Sequence, residues 1–286
     1  MSNLALRLIT AAVLIPILLV IFYYGGVPFI VLIEMAILLG INEYYHMVKE
    51  RAISPNTFIG TVSALVLGGI AVTGRIDYMA LWISVSVVLI ILVRLRSLDL
   101  SSALTGSGLT LFGVLYVGWL LSHAILLRFP AFVPKSEMDM GLFFVVLAIA
   151  GTFLADAGAY FTGRAIGKNK LSPLISPGKT KEGAIGGIVG GTLGVVATKF
   201  VFDLWIFDGP GTGMPFLHCL ILGPVLVVAS IAGDLFESMI KRDAGIKDSG
   251  KIIPGHGGIM DRLDSLLLSI PVVYYYLRFI VYGGLQ

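Results

Sequence analysis

Two pairs of carboxylates stand three residues apart in otherwise apolar stretches: Asp234 with Glu237, and Asp261 with Asp264. That spacing puts both members of a pair on one helical face, and Ser238 and Lys241 extend the first stripe. An ionisable group inside a membrane span costs roughly 3 kcal/mol or more unless it meets water, protein or a counter-ion, so each is a functional candidate. Asp156 is another. It sits roughly eight residues, or about 12 Å, before the end of its apolar stretch, which predicts a polar cavity. Oxygen donors converging from two helices suit Mg²⁺, which takes one or two carboxylates and leaves its other positions to water and substrate phosphate. Asp234, Glu237, Asp261, Asp264, Asp156 and the loop residue Asp248 are the candidate donors. Asp261 alone could equally be a helix N-cap. Zinc is not expected: the four histidines form no HExxH pair, and the single cysteine, Cys219, reads as a packing residue and excludes a disulfide. Glu43, near the end of a span, reads as solvated or paired, and Glu34 lies deeper without an assigned role.

The elements that must hold these groups are membrane helices. The 286 residues are 57% hydrophobic and only 13% charged, with a mean hydropathy of +0.96, far from the balance of a soluble domain. About 20 apolar residues cross a bilayer. Nine stretches qualify, at about 5–24, 28–47, 57–73, 78–95, 107–128, 142–164, 184–202, 217–240 and 261–282. The expected fold is therefore an all-α, polytopic integral membrane bundle. It divides into N-terminal spans over 1–140 and a catalytic region over 141–286 with two polar loops, 165–183 and 241–260. The first stretch reads as a retained span, since Tyr23-Tyr24-Gly25-Gly26 is a poor cleavage site.

Net charge is only +3, yet the 20 basic residues are unevenly distributed. With the N-terminus cytoplasmic and the C-terminus outside, fifteen fall on the cytoplasmic face and five on the other, as the positive-inside rule requires. Ten of the fifteen lie in or beside the two polar loops. Attraction to anionic inner-leaflet lipids would account for basic loops, but not for their density of Gly, Pro, Ser and acidic residues.

The stretch from Ser238 to Ser265 reads SMIKRDAGIKDSGKIIPGHGGIMDRLDS. In Ser238, Lys241-Arg242, Lys247-Asp248, Pro254, His256-Gly257-Gly258 and Asp261-Arg262-Leu263-Asp264 it closely resembles the signature of the phosphatidate cytidylyltransferases, the CDP-diacylglycerol synthases. The resemblance continues upstream through Asp156-Ala-Gly-Ala-Tyr160, Gly163-Arg164, Gly167-Lys168 and the loop from Ser176 to Gly183, and so covers residues 150–286. It implies a Mg²⁺-dependent reaction of CTP with phosphatidic acid, at the cytoplasmic face of a bacterial-type inner membrane, giving CDP-diacylglycerol and pyrophosphate. Asp234, Asp261, Asp264, Asp248 and Lys241 are the expected catalytic residues, and the resemblance implies Asp234, Asp261 and Asp264 as the metal ligands, with Asp156, Glu237 and Asp248 as outer or second-metal candidates. Lys179, Thr180, Lys181, Arg242, Lys247, Arg262 and Ser238 are the expected substrate contacts. Gly257 and Gly258 would permit close backbone approach, and His256 could hydrogen-bond within the loop or donate a proton.

Gly178-Lys179-Thr180 is not a P-loop: Pro173 occupies the leading glycine position and no strand is expected before it. Gly186-Gly187 and Gly190-Gly191 read as close helix packing. No nucleic-acid partner is expected, and the sequence leaves a homodimer open. A CDP-alcohol phosphotransferase would need Asp-x-x-x-Asp where this chain has Asp-x-x-Asp. A CTP-dependent lipid kinase could share the nucleotide loops. An ion-coupled transporter would show inverted repeats and acids at mid-membrane instead of near one face.

Overall fold

The computed structural model describes residues 3–96, 103–133, 139–206, 211–252 and 257–283, with the backbone alone for residues 3–9 and 11. Lys135, Pro254 and His256 lie outside the described residues. Apolar sequence that must satisfy its own backbone in lipid forms helices. These are α1 (Asn3–Tyr24), α2 (Gly26–Glu50), α3 (Thr57–Ala71), α4 (Ile76–Arg96), α5 (Ala103–Arg128), α6 (Met140–Ile166), α7 (Lys181–Ile206), α8 (Phe216–Asp243) and α9 (Met260–Val281). Each expected span is helical. Among the described residues, seven helices, α2 and α4 to α9, are long and apolar enough to cross a membrane, while α3 and residues Ala12–Tyr24 of α1 are shorter apolar helices. Large side chains such as Phe161, Val189 and Leu193 are exposed on these helices, as a lipid-facing surface requires. The chain is a polytopic helical membrane protein.

One element departs from the all-α expectation. Strands β1 (Lys170–Ser172) and β2 (Ser176–Thr180) form an antiparallel hairpin, pairing Lys170 with Thr180 and Ser172 with Ser176. This corrects the view that no strand precedes Gly178-Lys179-Thr180. These residues end β2 and run directly into α7, whose first turn is capped by the Thr180 hydroxyl accepting from Gly183 N at 3.1 Å. They are part of a strand, and so still do not form the open glycine loop of a P-loop.

The chain groups into two compact units. The first is Met1–Leu126 with Ile240–Leu263. Its core holds Tyr44 and Tyr45 of α2, each 1% exposed. Their hydroxyls donate to Leu109 O at 3.2 Å and Thr110 O at 2.8 Å in α5. Just beyond, α5 widens into a π-turn over Val114–Trp119, where the regular ladder is interrupted and a side-chain partner for a carbonyl is useful. A β-carbon at Gly113 would stand 2.8 Å from both rings, so only glycine lets α5 come this close. The half of α2 that carries Glu43 is thereby anchored.

The second unit is Leu127–Met239 with Asp264–Gln286. Helices α6 and α7 pack antiparallel, backbone against backbone. A β-carbon would lie 2.9 Å from Ala159 O at Gly183, 3.2 Å from Ala155 O at Gly187 and 2.8 Å from Ala150 O at Gly194. Small residues at helical spacing allow this approach, as expected for the glycine pairs of α7. Thr152 Oγ1 and Ser269 Oγ meet at 3.0 Å and join α6 to α9.

Candidate active site

In the second unit, the end of α6, the β-hairpin, the start of α7 and one face of α8 enclose a cavity of about 550 Å³, within the usual range for small-molecule sites. Asp156, Tyr160 and Arg164 line it from α6, Lys179 and Thr180 from the hairpin, and Ile231 and Asp234 from α8. Asp156 thus lines a cavity, as its depth predicted, though Ala159, Leu171, Ala184 and Ile231 make much of the wall apolar. Lys179 Nζ lies 2.6 Å from Asp234 Oδ2, with each side chain about a quarter exposed, and the Ser238 hydroxyl donates to Asp234 Oδ1 at 3.3 Å.

The hairpin that delivers Lys179 is held by Glu182, the second residue of α7. Its carboxylate accepts from Lys168 N at 3.1 Å, from Asn169 N at 3.2 Å and from Asn169 Nδ2 at 2.6 Å. Lys181 N in turn donates to Asn169 O at 2.8 Å. A helix-terminal acid thus gathers the donors of the chain entering β1, and the cation-bearing strand leaves in a fixed direction. Lys181 itself is exposed.

A second cluster belongs to the first unit. Asp261 opens α9, and its Oδ1 accepts from Lys241 Nζ at 2.6 Å. Its Oδ2 accepts from Gly258 N at 2.9 Å and from both Ser249 N and Ser249 Oγ at 3.0 Å. Buried Glu43 reaches the same loop from α2. It accepts from Ile259 N at 3.0 Å and from Met260 N and Ser249 Oγ at 2.9 Å. Gly257 has φ +85°, and a β-carbon there would stand 2.7 Å from Asp261 Oδ2. The glycine pair therefore lets the loop close onto two carboxylates.

The remaining candidates are distributed around these clusters. Arg242, Lys247, Asp248 and Arg262 are exposed, and Arg242 Nη1 donates to Ile246 O at 3.4 Å. Glu237 is fully buried. Asp264 belongs to the second unit, where Gly233 of α8 packs directly on its carbonyl. Among the described residues no three His, Cys, Asp or Glu side chains form one metal-binding group. Asp156 and Asp234 nevertheless offer two hard oxygen donors to one cavity, a set that fits Mg²⁺. Sequence reasoning gave no site role to Ser249, Glu182 or Glu43, and Glu43, expected to be solvated or paired, is instead buried and held by loop donors. The available signal was an acid in α2 at the same predicted membrane face as the polar loops.

A membrane-embedded helical protein with a carboxylate-lysine cavity and a glycine-rich polar loop is the class that these features define. The model of the cytidylyltransferase family matches residues 5–280, and the chain belongs to that family. Its relatives carry a more particular name. It is 33% identical to a phosphatidate cytidylyltransferase of Synechocystis sp., across 94% of this chain and 95% of that protein. It is 34% identical to one of Brucella suis biovar 1, across 96% and 93%. With one of Haemophilus influenzae it shares 43% identity across 49% and 48%. The family match takes in the N-terminal helices, which by themselves read only as spans.

Proposed function

We propose that this protein transfers CMP from CTP to phosphatidate, giving CDP-diacylglycerol and pyrophosphate. The observation that carries the reading is the cavity shared by Asp156, Lys179, Thr180 and Asp234 in a chain of the cytidylyltransferase family. A phosphatidate oxygen attacks the α-phosphorus of CTP, the bond from that phosphorus to the β-phosphate bridging oxygen breaks, and pyrophosphate leaves with the bond electrons. The nucleophile needs no strong base, because a phosphomonoester has a second pKa near about 6 and is largely ionised at neutrality.

Lys179 supplies a cation to the triphosphate and Thr180 a hydroxyl at the cavity wall. Lys241 and the exposed Arg242, Lys247 and Arg262 provide further positive charge for the approaching anions. The Mg²⁺ ligands we propose are those that the family resemblance implies, Asp234, Asp261 and Asp264, with Asp156, Glu237 and Asp248 as outer or second-metal candidates; of these, Asp156 and Asp234 line the cavity of the second unit. When bound, the metal supplies charge neutralisation and Lewis acidity at the phosphates. The fifteen-to-five division of basic residues supports nine spans with the N-terminus cytoplasmic and the C-terminus outside. It equally supports a reaction at the cytoplasmic face of a bacterial-type inner membrane, where CTP is available and the acceptor headgroup lies.

The decisive experiment supplies the purified protein in mixed micelles with phosphatidate and either α- or γ-labelled CTP, with and without Mg²⁺. Label from the α position in the lipid, dependent on Mg²⁺ and not reproduced with ATP or GTP, is the expected result. Lipid labelled only from the γ position would make the protein a kinase and overturn the reading.

A further inference from the structure

Glu43 lies far from the signature loop in sequence, on a helix that neither the family signature nor the cavity requires. Nevertheless its buried carboxylate accepts three hydrogen bonds from that loop, at 2.9–3.0 Å. Two donors, Ile259 N and Met260 N, are backbone groups at the start of α9, where a helix has no internal partners for its first N–H groups. A negative charge there also meets the positive end of the helix dipole. The third donor, the Ser249 hydroxyl, lies between Glu43 Oε2 and Asp261 Oδ2 and has one proton to share between them.

The surroundings are shaped to this carboxylate. A β-carbon at Gly250 would collide with Glu43 Oε1, and one at Gly258 with both Glu43 oxygens and with Ser249 Oγ. Two glycines of the loop therefore stand where any side chain would displace Glu43. The carboxylate in turn fixes the turn of α9 that carries Asp261, which receives Lys241 at 2.6 Å.

We infer that Glu43 is a positioning residue for the transfer reaction. It caps α9 from α2 and, through Ser249, sets the placement of the Asp261–Lys241 pair without touching substrate. This inference rests on the proposed cytidylyltransferase activity. Gln at this position preserves size but turns an N–H₂ group toward backbone N–H donors, whereas Asp keeps the charge and only shortens the reach. A purely structural role would lower the folded fraction and leave the folded molecules fully active.

The experiment measures kcat, KM for CTP and thermal midpoint for the parent, Glu43→Gln and Glu43→Asp in detergent, with rates normalised to folded protein. An inactive parent would bring down the proposed function itself. With an active parent, the expected result is a kcat lowered at least 30-fold in Glu43→Gln, KM within 3-fold of the parent, and partial recovery of kcat in Glu43→Asp. A Glu43→Gln kcat within 3-fold of the parent, or an Asp variant no better than Gln, overturns the inference. If Glu43→Gln does not fold, Ser249→Ala carries the test: a kcat reduced about tenfold at unchanged KM supports the role, and an unchanged kcat overturns it.

Discussion

Lys179 Nζ sits 2.6 Å from Asp234 Oδ2, so a strand residue and a helix residue some fifty positions apart in sequence meet as an ion pair on the wall of one cavity. The pair is accessible, with each side chain about a quarter exposed. An incoming polyanion can therefore compete with Asp234 for the ammonium. The arrangement balances charge when the cavity is empty and leaves a cation ready for phosphate.

Lys179→Met should raise KM for CTP at least tenfold and lower kcat/KM about a hundredfold, roughly 2.7 kcal/mol of lost transition-state stabilisation. Its effect on stability should be only about 1 kcal/mol, because partly exposed ion pairs contribute little. Steady-state kinetics and a thermal melt in the same detergent separate the two quantities. An unchanged KM for CTP would remove Lys179 from the nucleotide site.

Asp261→Asn addresses the other cluster. The carboxylate has Lys241 on one oxygen and three donors on the other, and an amide can accept on one side only. Whichever way it turns, an N–H₂ group faces either the ammonium or the loop donors. Activity should fall by about a hundredfold or more in a protein that still folds. Near-normal CTP-dependent activity in the folded variant would remove Asp261 from both the metal set and the catalytic set.

Apolar length revealed the helices, because the bilayer leaves few alternatives, and the depth of Asp156 revealed the cavity. The hairpin was not legible: Ser176-Pro177-Gly178-Lys179-Thr180 has no strand-like alternation, and its order depends on Glu182 gathering the donors of Lys168 and Asn169. Glu43 was visible as an acid in a span, but its three donors come from positions 249, 259 and 260. Local spacing carries no trace of such a contact. The glycine pair at 257 and 258 was read for substrate approach, while the structure shows what it accommodates within the protein, namely Asp261 and Glu43.

Two glycine substitutions should consequently behave differently. An added methyl at Gly258 meets the Ser249 hydroxyl and the Glu43 carboxylate, both fixed by hydrogen bonds, so Gly258→Ala should cost about 1–3 kcal/mol of stability. At Gly178 the same methyl meets nothing within 4 Å, and the thermal midpoint of Gly178→Ala should match the parent. Equal midpoints for the two variants would mean that the loop yields easily around Glu43.

Away from both clusters, Arg128 and Asp139 offer a test of stability alone. The guanidinium, 7% exposed, donates to Asp139 Oδ1 and Oδ2 at 2.7 Å each, and Asp139 Oδ1 also accepts from Leu142 N at 2.9 Å, capping α6. Asp139→Ala removes the cap and leaves a buried cation without its carboxylate. Because Asp139 is 43% exposed, the expected loss is about 1–3 kcal/mol, less than for a fully buried pair. The double variant Arg128→Leu with Asp139→Ser restores a capping hydroxyl and removes the stranded charge, so it should regain most of that stability. Activity per folded molecule should remain at the parental level in both proteins. A thermal melt reads the first effect and the labelled-CTP assay the second. A double variant no more stable than Asp139→Ala would locate the loss in packing of the arginine stem instead of in charge.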